Sequence, residues 1–160
     1  MDINYLGLSS FKLKGKAASV VIDPAKTIEA DIVVPGTVIK GPGEYEIKGI
    51  SILGFAFSGQ VIYVYEIDGL RLCYLNGVNQ NISDALIEDL GNIDILMISV
   101  GGKASEIIVS IEPKIVIPMN YDSPDQFIKE VGMTVERLPK LTIKPEDIGE
   151  NQKVVILDRK

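Results

Sequence analysis

Ile47-Lys48-Gly49-Ile50 and Ile67-Asp68-Gly69-Leu70 each set a polar residue and a glycine between two apolar runs. That pair suits a two-residue turn with both central residues at positive φ, which folds the flanking runs into an antiparallel hairpin. The middle of the chain therefore reads as a meander. About a dozen short runs rich in Ile and Val, punctuated by Gly, Pro and Asn, extend the strand pattern from Asp2 to Leu6 at one end to Lys153 to Leu157 at the other. Further strands are expected at Ala18 to Ile22, Ile32 to Val34 and Ile95 to Val100.

Helical spacing is confined to three places. Ser83 is placed to cap Asp84 to Leu90, with Gly91 as its stop. A second helix fits Ala104 to Ile111, ended by Pro113, and a third fits Pro124 to Val131, capped by Ser123 and closed by Gly132. Strands first and strand-helix alternation later predict an α+β, or layered α/β, sandwich with few helices, in one domain spanning 1–160.

Composition narrows the chemistry. The chain has no histidine. This removes the commonest metal ligand and the side chain that most often serves as base near neutral pH. The net charge is -6 and the sixteen basic residues are scattered singly; a phosphate backbone is repelled on balance, so nucleic acid is not an expected partner. Apolar residues never gather into a membrane-crossing run. The start, Met1-Asp2-Ile3-Asn4-Tyr5, lacks the pattern of a signal peptide, so the expected setting is cytoplasmic, away from membranes. Cys73 lies in an apolar run, where a buried inert thiol is expected.

Several separated blocks recur in a known order: Asp2 to Phe11, Val21-Ile22-Asp23-Pro24, Ala30 to Val33, Gly41-Pro42-Gly43-Glu44-Tyr45-Glu46-Ile47, Asp94 to Gly102 and Glu112 to Tyr121. In sequence and order they resemble the metallo-β-lactamase-fold hydrolases, specifically the L-ascorbate-6-phosphate-lactonase-like group. The resemblance implies a four-layer αββα sandwich, here truncated, with a metal cleft at one edge of the paired sheets. It also implies where the ligands should stand, and none stands there. Leu8 occupies the place of a histidine after Leu-Gly. The principal histidine motif and its helix are missing where Pro35-Gly36-Thr37 runs directly into Val38. Gly77 takes the place of the bridging aspartate, Gln80 lies near that of a histidine, and Asn120 replaces the last histidine.

The expectation is thus a metal-free, cofactor-free scaffold with no catalytic or metal-ligating residues. It acts through self-association or through a remnant cleft at Leu8, Asn76, Gly77, Gln80 and Asn120 that could take a small polar ligand. The alternative is a metal-dependent hydrolase of the same superfamily with atypical ligands. A third reading is a metal-independent enzyme built on the carboxylates of Asp23, Glu44 or Glu46. Asp23-Pro24 reads more simply as a turn, and Glu44 and Glu46 as a solvated strand face. Ser9 and Ser10 are candidate nucleophiles without a base. The lost helix would leave Ala18 to Ile22 and Ile32 to Val34 uncovered, and a symmetric homodimer is expected to bury them.

Overall fold

A computed structural model describes residues 1–160. Thirteen strands form two sheets. The first has β12 (Leu141–Thr142), β1 (Asp2–Gly7), β2 (Ser10–Lys14), β3 (Ser19–Ile22) and β4 (Ile32–Val34), side by side in that order. The second has eight strands, in the order β11 (Thr134–Leu138), β13 (Lys153–Leu157), β10 (Ile115–Met119), β9 (Ile95–Ser99), β8 (Leu70–Leu75), β7 (Gln60–Ile67), β6 (Ile50–Phe57) and β5 (Gly43–Ile47). Helices α1 (Asp84–Leu90), α2 (Ala104–Ile111) and α3 (Asp125–Val131) complete the fold. It is the layered α+β sandwich of the metallo-β-lactamase type that the sequence predicts.

Turn chemistry sets the antiparallel half. Lys48-Gly49, Ser58-Gly59 and Asp68-Gly69 all have positive φ and join β5 to β8 as a meander. From β8 onward the pairing with β9, β10, β13 and β11 is parallel. The inner strands β9 and β10 are covered on both faces, which is why Ile95-Leu96-Met97-Ile98 is apolar at every position. Alternation then splits the core in two. Ile95, Met97, Tyr65 and Tyr74 face the other sheet, whereas Leu96, Ile98, Val64 and Cys73 pack under the helices with Leu90, Ile107, Ile108 and Phe127.

Three expectations need correction. Helix α3 takes Pro124 as its N-cap, with no side-chain cap; Ser123 accepts only from the Asp125 N–H, at 3.3 Å. The two-residue strand β12 carries no apolar run long enough to be read as a strand from the sequence. The third concerns the uncovered apolar face. Strands β3 and β4 pair in parallel, so the chain between them must cross over. That connection runs across the sheet, where the Glu29 carbonyl accepts from Lys12 Nζ at 3.0 Å. Val20, Val21 and Val34 are wholly buried within one chain and Ile32 nearly so. The apolar patch that suggested a dimer is therefore not open.

Candidate functional site: an amide and carboxylate network at one edge of the sandwich

Parallel strands lay their carboxyl ends side by side, and such an edge is where ligands meet sheets of this kind. Asn76 follows β8, Ser99 ends β9 and Asn120 follows β10. From the other sheet, Asp23 follows β3, and Leu8 and Ser9 form the turn between β1 and β2. Leu8, Asp23 and Asn120 all take left-handed backbone conformations, with φ of 54°, 47° and 57°. Asp and Asn tolerate that region better than most residues, and each here ends a strand by turning the chain sharply.

One connected set of hydrogen bonds joins the two sheets. Asn76 Oδ1 accepts from the Ser99 hydroxyl and from Asn120 Nδ2, both at 2.8 Å. Asn120 Nδ2 also lies 3.0 Å from Ser99 Oγ, which accepts from the Gly77 N–H at 3.1 Å. On its other side Asn76 Nδ2 donates to Asp23 Oδ2 at 3.3 Å, and the Ser9 hydroxyl donates to the same oxygen. Tyr74 donates its phenol to the Ser9 carbonyl at 2.9 Å, with Asp23 Oδ2 at 3.3 Å. The Leu8 carbonyl accepts from the Asn120 backbone N–H at 3.0 Å and from Tyr5 at 2.8 Å. Burial, reinforced by the neighbouring Asp23 charge, pushes the Tyr74 phenol far above its ordinary range, so it stays a neutral hydroxyl.

Leu8, Asn76, Gly77 and Asn120 are therefore brought together. Gln80 stands apart, beside Gly77 in a neighbouring concavity with Phe57, Gln60 and Asn79. Asp23, read as a turn residue, is at the centre of the network as well as in a turn. Glu44 and Glu46 lie exposed on edge strand β5, with no link to the network. Sequence reasoning set Ser9 aside and passed over Tyr74 and Ser99. The available signal was their place at strand ends that converge on one edge.

Two concavities flank the network. One, of ≈ 240 Å³, has Asp23, Lys40, Gln60, Tyr63, Tyr74 and Asn76 among its walls. The other, of ≈ 550 Å³, lies on the Leu8 and Asn120 side with Tyr5, Tyr121 and Arg159.

The donor set does not suit the metal that the fold implies. A catalytic zinc takes about three imidazole, thiolate or carboxylate ligands. Here Asp23 is the one carboxyl group in the network; its partners are amides and hydroxyls, and no three His, Cys, Asp or Glu side chains gather anywhere in the structure. A hard cation would need several oxygens at once. Asn76 Oδ1 and Asp23 Oδ2 are already engaged by protein donors.

Residues 34–120, more than half of the chain, match the family model of the β-lactamase superfamily domain. The chain belongs to the β-lactamase superfamily. Among solved structures, this superfamily member is similar to a protein from Thermotoga maritima described as a proposed zinc-dependent hydrolase of the metallo-β-lactamase superfamily. The identity is 25%, the TM-score 0.84, and the match covers 98% of both chains. A metallo-hydrolase from the archaeon Ignicoccus hospitalis matches with a TM-score of 0.65 and 13% identity, over 99% of this chain and 96% of its own. A metallo-β-lactamase-fold protein from Bacillus subtilis matches at 0.62 and 9%, over 98% and 96%. The latter two likenesses bear on the fold alone. No curated protein matches the chain. No helix is long and apolar enough to cross a membrane.

Proposed function

We propose that this superfamily member is a metal-free, non-catalytic form of the L-ascorbate-6-phosphate-lactonase-like group that works by binding. The observation that carries the reading is the use made of Asn76 and Asn120. At the edge where the fold resemblance puts the metal, Asn120 turns its amide to Asn76 and Ser99, and Asn76 bridges onward to Asp23. Amide side chains are good at closing a vacated cleft with internal hydrogen bonds. Such a network holds two sheets in register but has no group that lowers the pKa of water toward neutrality. Assay of the purified protein against lactone, phosphodiester and β-lactam substrates tests this. The proposal expects no turnover; activity lost in Asp23→Asn would replace it with a carboxylate mechanism.

The second reading, a hydrolase with atypical ligands, draws on the Thermotoga maritima relative, which is similar over 98% of both chains and described as a proposed zinc-dependent hydrolase. It requires metal to displace the hydrogen bonds around Asn76. The donor chemistry weighs against it.

A cytoplasmic setting, no nucleic-acid partner and a homodimer belong to the same proposal. The net charge of -6 supports the second of these. The dimer loses its original motive because Val20 and Val21 are buried within one chain. Sedimentation equilibrium at micromolar concentration tests it, with a monomer as the contrary result.

A further inference from the structure

We propose that the ≈ 240 Å³ cleft beside Asp23 binds a small zwitterion of the α-amino acid class, its ammonium held by Asp23 and its carboxylate by Lys40. The proposal deepens the binding role argued above and rests on it.

Opposite charges line this cleft without meeting. Lys40 stands in its wall and takes part in none of the ion pairs of the chain. The protein donors to Asp23 all go to Oδ2, which leaves Oδ1 to accept from a ligand. A simple anion would be drawn to Lys40 but repelled by Asp23, and a simple cation the reverse. A molecule with both charges, separated by a few bonds, meets both.

A third group can add a hydrogen bond. Tyr63 lines the same cleft, and its hydroxyl, open to solvent, forms no hydrogen bond within the chain. It is therefore free to donate to a ligand carboxylate that also meets Lys40.

The walls are held in advance. Asp23 is fixed by Ser9, by Asn76 and by its own N–H, which donates to the Val34 carbonyl at 2.7 Å. Lys40 sits between two anchors: Ile39 is fully buried and its carbonyl accepts from Gly36 at 2.8 Å, and the Gly41 carbonyl accepts from the Tyr45 hydroxyl at 2.9 Å. Gly54 lets that segment lie close, since a Cβ there would come within 2.8 Å of the Gly41 oxygen. Ile22 and Val34 supply apolar wall for the ligand's carbon skeleton. The volume, ≈ 240 Å³, is enough to admit a small amino acid.

The test is a ¹H–¹⁵N correlation titration of the intact protein with glycine, L-serine and L-threonine, and with acetate and ethylamine as single-charge probes. The expected result is saturable shifts around Asp23, Lys40, Tyr63 and Asn76 with at least one amino acid. The single-charge probes bind at least about tenfold more weakly, and Lys40→Met and Tyr63→Phe each weaken amino-acid binding about tenfold, a loss of about 1.4 kcal/mol. Lys40 is exposed and Tyr63→Phe removes only an unpaired hydroxyl, so both variants should keep the native spectrum. A silent titration, shifts centred elsewhere, acetate or ethylamine binding as tightly as the amino acids, or a Lys40→Met variant binding unchanged would each overturn the proposal. Failure of the non-catalytic reading would look different: stoichiometric metal or substrate turnover, in a sample whose titration could still succeed.

Discussion

Asn120 Nδ2 donates to Asn76 Oδ1 at 2.8 Å, and with that bond the carboxyl ends of β10 and β8 are tied across the end of β9. Asn76 is the more connected of the two, because it also accepts from Ser99 and donates to Asp23. Asn76→Ala strips three partners of a hydrogen bond, Asn120→Ala two. We expect Asn76→Ala to cost roughly 2–3 kcal/mol and Asn120→Ala about 1 kcal/mol, read from urea unfolding. Asn120→Gly should cost less than Asn120→Ala, since φ is 57° there and glycine enters that region freely. The reverse order at either site would show that the network does not hold the edge together.

Tyr65 poses the opposite case. It is fully buried between the sheets and its hydroxyl has no partner. Tyr65→Phe keeps the ring and removes the orphaned oxygen, so it should stabilise the fold by about 1 kcal/mol or more in the same measurement. A loss of stability would mean that the hydroxyl is satisfied, by a trapped water for instance.

Alkaline pH should unfold the protein early. Burial raises the phenols of Tyr5, Tyr63, Tyr65, Tyr74 and Tyr121 above their ordinary value of about 10. An acid whose pKa is raised by folding keeps its proton longer in the folded state. Its contribution is complete below the unfolded value and is lost as pH climbs from there toward the folded one. Thermal midpoints should therefore hold up to about pH 9 and fall steeply above about pH 10. Tyr74→Phe, although less stable at neutral pH, should show a shallower alkaline fall; an unchanged slope would contradict the assignment.

Most of the fold was legible because its signals are local. Lys48-Gly49 and Asp68-Gly69 are turns by composition, Ser83 and Gly91 bracket α1 as expected, and Ile95 to Ile98 alternates between two cores that both demand apolar side chains. What escaped is non-local. No periodicity tells that the chain between Asp23 and Asp31 crosses over to a parallel strand, or that Val21 is buried within one chain. Nor does any spacing show that Ser9, Tyr74 and Ser99 converge from three strand ends. Asp23-Pro24 looks like a turn because it is one; its second role depends on Asn76, which comes more than fifty residues later.

Cys73 should be inert. Burial pushes its thiol up from 9.0 to about 12, and the side chain lies under the helices. A thiol-reactive disulfide reagent at pH 8 should label it only when denaturant unfolds the chain. Rapid labelling of the native protein would show local opening of β8.

The central claim is that this edge of the sandwich is closed by Asp23, Asn76, Ser99 and Asn120 rather than by metal. Elemental analysis by mass spectrometry, on protein purified without an affinity tag and then dialysed, tests that most directly. The account predicts zinc, manganese and iron far below one equivalent per chain, and a thermal midpoint that chelator leaves unmoved. Close to one equivalent of any of these metals, with a midpoint that drops several degrees in chelator, would contradict it.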